Sequence, residues 1–581
     1  MLALINEYAG LLVAMDLLVI VALLVFTQLR PWVIFLCSSV MLYLTDILSL
    51  EGLLSGYTNP SLLVLMLLFL VSVPLERTTL MRRMTSAVLR SSTRSSVLRL
   101  SVFSGFFSAF INNTAVVSAM LGPIKRQSTQ SASKLLLPLS YASILGGTLT
   151  LIGTSTNLIV NGFVQQAGYE TLGFFDFTFI GLPVFVGCVL LMVVLAPRVL
   201  PEQELEADTI TQDYFLERRV SAGSPLIGRS VQENELRQLE SIFLVEVIRD
   251  HHVMAPVSPQ EVLSEGDVLV FTGDLSSIEL LDRFEGLLPL EEFDLAVREN
   301  LVEVIVSPSA SLVDRTIKEV DFRSRFDAAV VAVRRGNQRL RGGLGKLSLQ
   351  AGDALVLAVG DDFNRHSDVA ADFIVVGGIE TNKTLSGSRE LAVFAGFGVI
   401  VALGATGFMP LIKGLMILLA VLVVTRIMSI EDIKSRFPFS LLIVIGGALA
   451  LSQAMFQTGL AADFGSWAGP VLGGLSPLGA LIGVFIMTWL LTELITNNAA
   501  AAIMFPLALA ISGQWGDNYM PFVMAVAFGA SASFISPYGY QTNLMVYTAG
   551  NYRMADYFKL GLPILLAYSA ISLTMISIIY N

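Results

Sequence analysis

The chain is poor in cysteine, histidine and charge. Only two cysteines, Cys37 and Cys188, occur in 581 residues, each inside an apolar run. With no Cys-rich pattern, neither a disulfide framework nor a cysteine metal site is implied, and both read as packing residues. There are three histidines, and 14% of residues are charged, where a soluble chain carries about a quarter. The formal charge of −11 argues against nucleic acid as a partner. No GxGxxG follows an expected strand. The stretch GGLGKL at 342–347 is not a phosphate loop, because Leu347 stands where Ser or Thr must hold magnesium and Leu340 where the first Gly belongs.

Apolar sequence takes the place of charge. The chain is 54% hydrophobic, with a mean hydropathy of +0.71, and several runs reach membrane-spanning length, so a polytopic α-helical membrane protein is expected. The first run, from Leu11, is followed by Arg30-Pro31 and not by a small-residue cleavage site, so it reads as a span. Residues 1–198 and 387–581 are apolar and form two membrane repeats; 199–386 has the composition of a soluble insert. Crossings are expected near 11–27, 31–48, 60–75, 137–163 and 174–197, then near 388–407, 409–427, 438–456, 521–547 and 559–580. Gly/Ala/Asn-rich pieces at 101–124 and 478–511 read as hairpins that dip in and return.

Basic residues orient these crossings, since Lys and Arg accumulate on cytoplasmic connections. Arg77, Arg82, Arg83, Arg90, Arg94 and Arg99 fall in one connection, and Lys125, Arg126 and Lys134 in the next. Lys434 and Arg436, then Arg553 and Lys559, mark two more. Connections 49–59, 164–173 and 457–477 have none, and Lys413 alone falls outside. Five crossings per repeat put both termini outside and the insert in the cytoplasm. An odd number also turns the second repeat upside down.

The two repeats echo each other. TLIGTSTNLIV at 150–160 returns as ISPYGYQTNLMV at 535–546, and one offset pairs Gly153 with Gly539, Thr156 with Thr542, Asn157 with Asn543, and Asn112 with Asn498. Opposite halves with matching polar interruptions are the signature of an inverted-repeat transporter, although small polar residues also pack ordinary membrane helices. The insert repeats as well: Leu226 pairs with Leu312, Arg229 with Arg315, Glu233 with Glu319, and Gly266-Asp267 with Gly352-Asp353. Each copy, 199–292 and 293–386, reads as a small α+β module, with a helical stretch expected at VQENELRQLE. The basic run RRGNQRLR at 334–341 reads as a solvated turn in preference to an anion contact.

Gly, Pro, Thr and Asn at bilayer depth have a chemical use. An unpaired backbone group in hydrocarbon costs several kcal/mol, so unwound chain survives only where it lines an enclosed cavity. Gly153 and Gly539 permit a break, and Pro537 removes a helix hydrogen bond. Exposed helix N-termini attract anions, and carbonyls with Thr, Ser and Asn oxygens suit a small cation. The hairpin tips add Asn112, Asn113 and Thr114, and Thr496, Asn497 and Asn498. No cationic residue sits in these clusters. Asp16, Asp46 and Glu493 are the membrane carboxylates; Glu493, just before the second tip, is either functional or an edge residue at the water interface.

At these residues the chain resembles the divalent anion:sodium symporter family, the solute carrier 13 group. The segments SKLLLPLSYASILGGTLTLIGTSTNLIVNG, LIVIGGALALSQAMFQTGLA and LITNNAAAAIMFP carry the resemblance, with PFVMAVAFGASASFISPYGYQTNLMVY. It implies inverted repeats with re-entrant hairpins, a homodimer in the lipid bilayer, elevator-type movement, and Na⁺ coupled to sulfate or dicarboxylates. Family members carry Ser-Asn-Thr at each tip, which helps bind Na⁺ and the substrate carboxylate. Here the tips read Asn112-Asn113-Thr114 and Asn497-Asn498-Ala499, more like the branch with a cytoplasmic insert that includes sulfate transporters. By that resemblance Asn113, Thr114, Gly153, Thr154 and Asn157 form a first Na⁺ site, and Asn498, Ser536, Gly539, Thr542 and Asn543 a second. Asn112, Asn113, Thr114, Thr156, Asn497, Asn498 and Thr542 would bind the substrate. The insert resembles two copies of the C-terminal regulatory module of potassium-uptake proteins, the TrkA-C module, whose relatives bind small ligands, cyclic di-AMP among them.

The leading expectation is therefore Na⁺-coupled symport of a divalent anion, sulfate ahead of succinate, in a bacterial inner membrane. A sodium–proton antiporter or arsenite carrier of the wider superfamily would need a titratable carboxylate between the breaks, and none lies in GTSTN or SPYGYQTN. A membrane sensor would need an output domain, which the sequence does not offer.

Overall fold

The computed structural model describes residues 8–27, 29–76, 92–126, 130–202, 387–472, 476–515 and 518–580 of the apolar blocks. In the insert it describes 215–236, 242–249, 252–254, 257–273, 281, 283–289, 301–307, 310–335, 338–340, 345, 347–360, 363, 369, 372–377 and 385, and Thr78 is described as well. Arg77, Arg82, Arg83 and Arg90, most of GGLGKL and of the insert's two joins lie outside these residues.

The first apolar block folds as α1 (Ala9–Phe26), α2 (Pro31–Leu44), α3 (Leu50–Tyr57), α4 (Pro60–Glu76), α5 (Thr93–Ser108), α6 (Asn113–Arg126), α7 (Leu136–Gly147), α8 (Ser155–Gln166) and α9 (Asp176–Val199). The second block repeats that order: α10 (Ser388–Ala405), α11 (Leu411–Val424), α12 (Ile430–Arg436), α13 (Phe439–Gln457), then an extra α14 (Leu460–Leu472), α15 (Pro477–Leu494), α16 (Asn497–Ser512), α17 (Met520–Ala530), α18 (Gln541–Ala549) and α19 (Met554–Tyr580). The short helices α3, α12 and α14 were not expected. Both expected hairpins form, as α5–α6 and α15–α16, and both interrupted crossings form as half-helix pairs, α7–α8 and α17–α18.

Seven helical stretches among the described residues are long and apolar enough to cross a bilayer: Ala9–Phe26, Leu50–Glu76, Asp176–Val199, Ser388–Ala405, Phe439–Gln457, Pro477–Leu494 and Met554–Tyr580. This is a polytopic α-helical membrane protein. Half-helix α7 has 12 residues; at about 1.5 Å per residue it falls short of a hydrocarbon core of about 30 Å. It survives because every one of its residues is buried. By contrast, α1 and α10 are only 17% buried and form the periphery. Half-helix α8 is tied to hairpin arm α16 by Phe163 stacked on Phe505 at 5.1 Å, while α9 packs along α19.

The insert contains two five-stranded antiparallel sheets of one topology. Strands β1 (Phe215–Val220), β2 (Ile242–Arg249), β3 (His252–Met254), β4 (Val268–Gly273) and β5 (Leu287–Pro289) pair in the order β3-β2-β4-β1-β5. Strands β6 (Leu301–Val306), β7 (Ala328–Arg335), β8 (Gln338–Leu340), β9 (Ala354–Val359) and β10 (Phe373–Gly377) pair as β10-β6-β9-β7-β8. The repeated Gly-Asp has a structural reason. Gly266 and Gly352 both adopt φ +85°, which only Gly takes without strain. The following Asp267 and Asp353 are buried and grip Arg249 and Arg335 through their Nε atoms, each at 2.8 Å. VQENELRQLE is not helical where described: 231–236 form turns, and the corresponding part of the second copy folds as Ile317–Val320 and Phe322–Phe326. The two sheets meet through Ile248, Val270, Val331 and Ala358.

The second sheet sits against the membrane helices. Glu303 on β6 takes Lys125, at the end of α6, at 2.8 Å and faces Arg334 at 3.6 Å. Thr548 on α18 donates to the Gly352 carbonyl (2.7 Å) and accepts Arg334 on its own carbonyl (3.0 Å). Arg30 reaches the Val313 carbonyl at 3.4 Å.

Candidate functional site

The two breaks are built alike. Thr154, which caps α8, has φ −135° and ψ 148°; Tyr540, which caps α18, has φ −136° and ψ 136°. Glycine precedes each because carbonyls crowd in. A Cβ on Gly153 would lie 2.6 Å from the Gly147 carbonyl oxygen and 3.0 Å from those of Ser108 and Ala109. One on Gly539 would meet Ser533 Oγ and, at 2.9 Å, the Thr492 carbonyl. The hairpin arms α5 and α15 thus press their C-terminal carbonyls onto the breaks.

Four helix N-termini meet at the centre. Thr114, at the start of α6, donates to Gln541 of α18 (3.3 Å), and the Asn113 amide is hydrogen-bonded to the Tyr540 hydroxyl (3.1 Å). Across the site, Asn497 at the start of α16 donates to Thr156 of α8 (2.8 Å), and Ser155 to Asn498 Oδ1 (2.9 Å). Tyr540 and Thr154 share a hydrogen bond of 2.9 Å that joins α8 to α18. Tip one meets break two and tip two meets break one, the exchange of partners expected about a twofold axis. Among the described residues, no Lys or Arg takes part. The helix ends supply the positive potential here, each about half a unit charge.

Oxygens cluster beside both breaks. Asn113 Oδ1 faces the Gly153 carbonyl at 3.2 Å, the Ser143 carbonyl at 3.3 Å and the Ser108 hydroxyl, which donates to it. Carbonyls offer an amide oxygen nothing, so either the amide is turned over, its nitrogen donating to these groups, or a cation sits among the oxygens. At the second break, Ser533 Oγ and Thr542 Oγ1 are buried without a hydrogen-bond partner, with Glu493 and Ser536 paired beside them, and buried polar atoms left alone call for an occupant. Neutral oxygens with at most one carboxylate are a donor set fit for Na⁺ and poor for a transition metal.

The expected site residues fall together, in differing roles. Asn157 and Asn543 lace the breaks: each amide nitrogen donates to two break carbonyls, and Asn543 Oδ1 accepts from Ser140 (2.7 Å). Asn112 accepts from the Thr114 N–H at 2.9 Å, closing the first turn of α6. Thr496 does the same for α16 by accepting from Ala499 N. That cap changes the register of the second tip. Thr496 stands where Asn112 does, so the tip reads Thr496-Asn497-Asn498, and not Asn497-Asn498-Ala499; the spacing that pairs Asn112 with Asn498 holds at the breaks and slips by two at the tips. Glu493 lies at the break, its Oε1 accepting from Phe534 N and Ile535 N at 3.2 Å, with Ser536 and Trp489 beside it. Tyr540, Ser108, Ser143 and Ser533 are additions that the sequence reading missed. Only Tyr540 had left a signal, as the one bulky residue opposite Thr154 in the paired breaks.

On the face away from the insert, a cavity of about 680 Å³ is lined by Ser55, Asn59, Gln166, Tyr169, Gln453 and Gln457, among others. It lies at the far ends of α8 and α16, whose near ends form the site.

Comparison with known proteins matches residues 21–517 to the model of a citrate transporter family. A putative sulfur deprivation response regulator of Chlamydomonas reinhardtii is 31% identical over 91% of this chain and 94% of its own. An uncharacterized transporter of Synechocystis is 30% identical over 91% and 90%. Sodium/sulfate cotransporter 1 of Chlamydomonas reinhardtii is 29% identical over 61% of this chain and 42% of its own length.

Proposed function

The chain belongs to the citrate transporter family, a family of transporters and not of enzymes, and from that membership we propose that it is a secondary active symporter moving sulfate, a small divalent anion, with Na⁺. The observation that carries this reading is the meeting of four helix N-termini with no basic side chain among them. Helix dipoles and main-chain N–H groups suffice for a compact dianion, whereas a second, distant carboxylate would want an Arg clamp. The oxygen clusters at Asn113 and Gly153, and at Gly539, Ser536 and Thr542, supply places for Na⁺. The cotransporter names among the relatives agree with that pairing.

In this reading the tips and breaks move together as an elevator unit within a homodimer. The insert is a pair of TrkA-C-like regulatory modules, 199–292 and 293–386, between repeats 1–198 and 387–581. Its contacts at Arg30, Lys125 and Thr548 all fall on the side that the basic residues assign to the cytoplasm, which supports an inside location for it, with the termini outside a bacterial inner membrane.

The test is uptake of labelled sulfate and of succinate into proteoliposomes with and without a Na⁺ gradient. Sulfate uptake that needs Na⁺ and ignores a pH gradient is the expected result. Uptake that follows the pH gradient without Na⁺, or saturable succinate uptake that sulfate does not compete away, overturns it. A second reading, a membrane sensor of the anion, is favoured by the name of the Chlamydomonas regulator; tight Na⁺-dependent sulfate binding without net uptake would select it.

A further inference from the structure

Tyr540 breaks the symmetry of the site. Its partner at the same spacing is Thr154, and the two have matching cap conformations, so their side chains leave equivalent backbones in similar directions. Thr154 ends two bonds from its backbone. Tyr540 carries a whole ring across the axis, 8% exposed, and its hydroxyl reaches the Asn113 amide at 3.1 Å and Thr154 Oγ1 at 2.9 Å, with Asn497 beside it. One phenol thus touches both tips and the opposite break. A strictly twofold site would carry equal side chains at these two places; here a ring fills one side alone.

We propose that Tyr540 is the specificity-determining residue of the anion site: its phenol occupies the second anion position, so that one compact tetrahedral dianion fits and a chain-linked dicarboxylate does not. This rests on the anion-symporter reading above and deepens it. The ring excludes by volume. The hydroxyl adds a polar atom between the Asn113 amide and the Thr154 hydroxyl. A dicarboxylate would have to displace the ring or leave one carboxylate without helix-end donors, and a desolvated charge without partners is strongly disfavoured.

The test uses the full chain in proteoliposomes, as wild type, Tyr540→Thr, Tyr540→Leu and Tyr540→Phe. Na⁺-driven sulfate uptake is competed with selenate, oxalate, malonate and succinate. In the wild type, competition should fall away as the dianion lengthens. Tyr540→Thr, which restores the twofold match, should gain succinate competition by about tenfold or more, the scale set by one or two methylenes in a pocket. Tyr540→Leu should fall between. Tyr540→Phe should keep the length cut-off while sulfate KM rises several-fold with the lost hydroxyl and the hydrogen bonds it makes at the site. An unchanged length profile in both Tyr540→Thr and Tyr540→Leu, or a Tyr540→Phe profile matching that of Tyr540→Thr, overturns the assignment. If Tyr540→Thr does not fold, Tyr540→Leu and Tyr540→Phe decide by the same criteria. A wild type that takes up no sulfate sinks the sulfate reading by itself; Tyr540 is then judged by whether the variants lengthen the longest dianion that stabilises the protein against heat in Na⁺.

Discussion

Asn157 and Asn543 stand at equivalent places in the two breaks and make the same pair of hydrogen bonds. Asn157 Nδ2 donates to the carbonyls of Thr150 (2.9 Å) and Gly147 (3.5 Å); Asn543 Nδ2 donates to those of Ser533 (3.0 Å) and Ser536 (3.4 Å). Gly147 matches Ser533 and Thr150 matches Ser536 at the spacing that relates the two asparagines. Each amide thus ties the end of one half-helix to the start of the next, satisfying carbonyls that unwinding leaves free.

Asn157→Ala and Asn543→Ala should each cut uptake at least tenfold while leaving an assembled protein. Each strands buried carbonyls at about 1–3 kcal/mol apiece, and the break then repacks to recover them. Na⁺-dependent sulfate uptake at low Na⁺, alongside size-exclusion profiles, reads this out. Normal uptake by either variant would mean that its break does not shape the site.

Gly153→Ala should be worse than Gly539→Ala. The first Cβ would meet main-chain carbonyls of Gly147, Ser108 and Ala109, none of which can swing aside. The second meets first the Ser533 hydroxyl, which can rotate, and only then the Thr492 carbonyl. The expected result is a Na⁺ half-saturation raised more than about tenfold, a shift of about 1.4 kcal/mol, for Gly153→Ala and a smaller shift for Gly539→Ala. The reverse order would point to the second break as the stiffer one.

The insert should tune transport without forming its path. Glu303→Gln removes the charge that Lys125 and Arg334 face, with the side chains of Glu303 and Lys125 only 18% and 13% exposed. Because Lys125 and Thr548 end the two helices α6 and α18 whose other ends form the site, loosening the dock should change the uptake rate or KM several-fold and leave Na⁺ dependence in place. Replacing 215–378 by a flexible linker should do the same. A folded variant of this kind that no longer binds sulfate would move the site into the insert.

The dock should also weaken in acid. Burial works to raise the Glu303 carboxyl, but Lys125 and Arg334 outweigh it and hold it below its ordinary 4.5. A carboxylate held low in the docked state stabilises the dock fully above pH 4.5, and that support is lost as pH falls through the lowered value. Hydrogen exchange in β6 and β10, compared at about pH 6 and below about pH 4 as protection relative to the intrinsic exchange rate at each pH, should show less protection in acid, and Glu303→Gln should remove the difference.

Much was legible in the sequence because it depends on local rules. Apolar run length located long spans such as Ala9–Phe26, Asp176–Val199 and Met554–Tyr580, and Gly153 and Gly539 with their Thr and Asn neighbours marked the breaks, since polar residues at that depth need a use. Gly266-Asp267 and Gly352-Asp353 announced the two sheets, because a positive φ followed by a buried Asp constrains residue type tightly. What stayed hidden depends on distant chain. The register of the second tip was decided by the Thr496 cap, which no linear spacing reports. Glu493 could be placed at the break only once Phe534 and Ile535 were seen to donate to it. Tyr540 is an ordinary residue in the sequence, and becomes the centre of the site only when a twofold-like exchange of tips and breaks brings Asn113 and Thr154 to its hydroxyl. Local propensity decides which segments fold and where they break. Tertiary packing alone decides which of the broken ends meet.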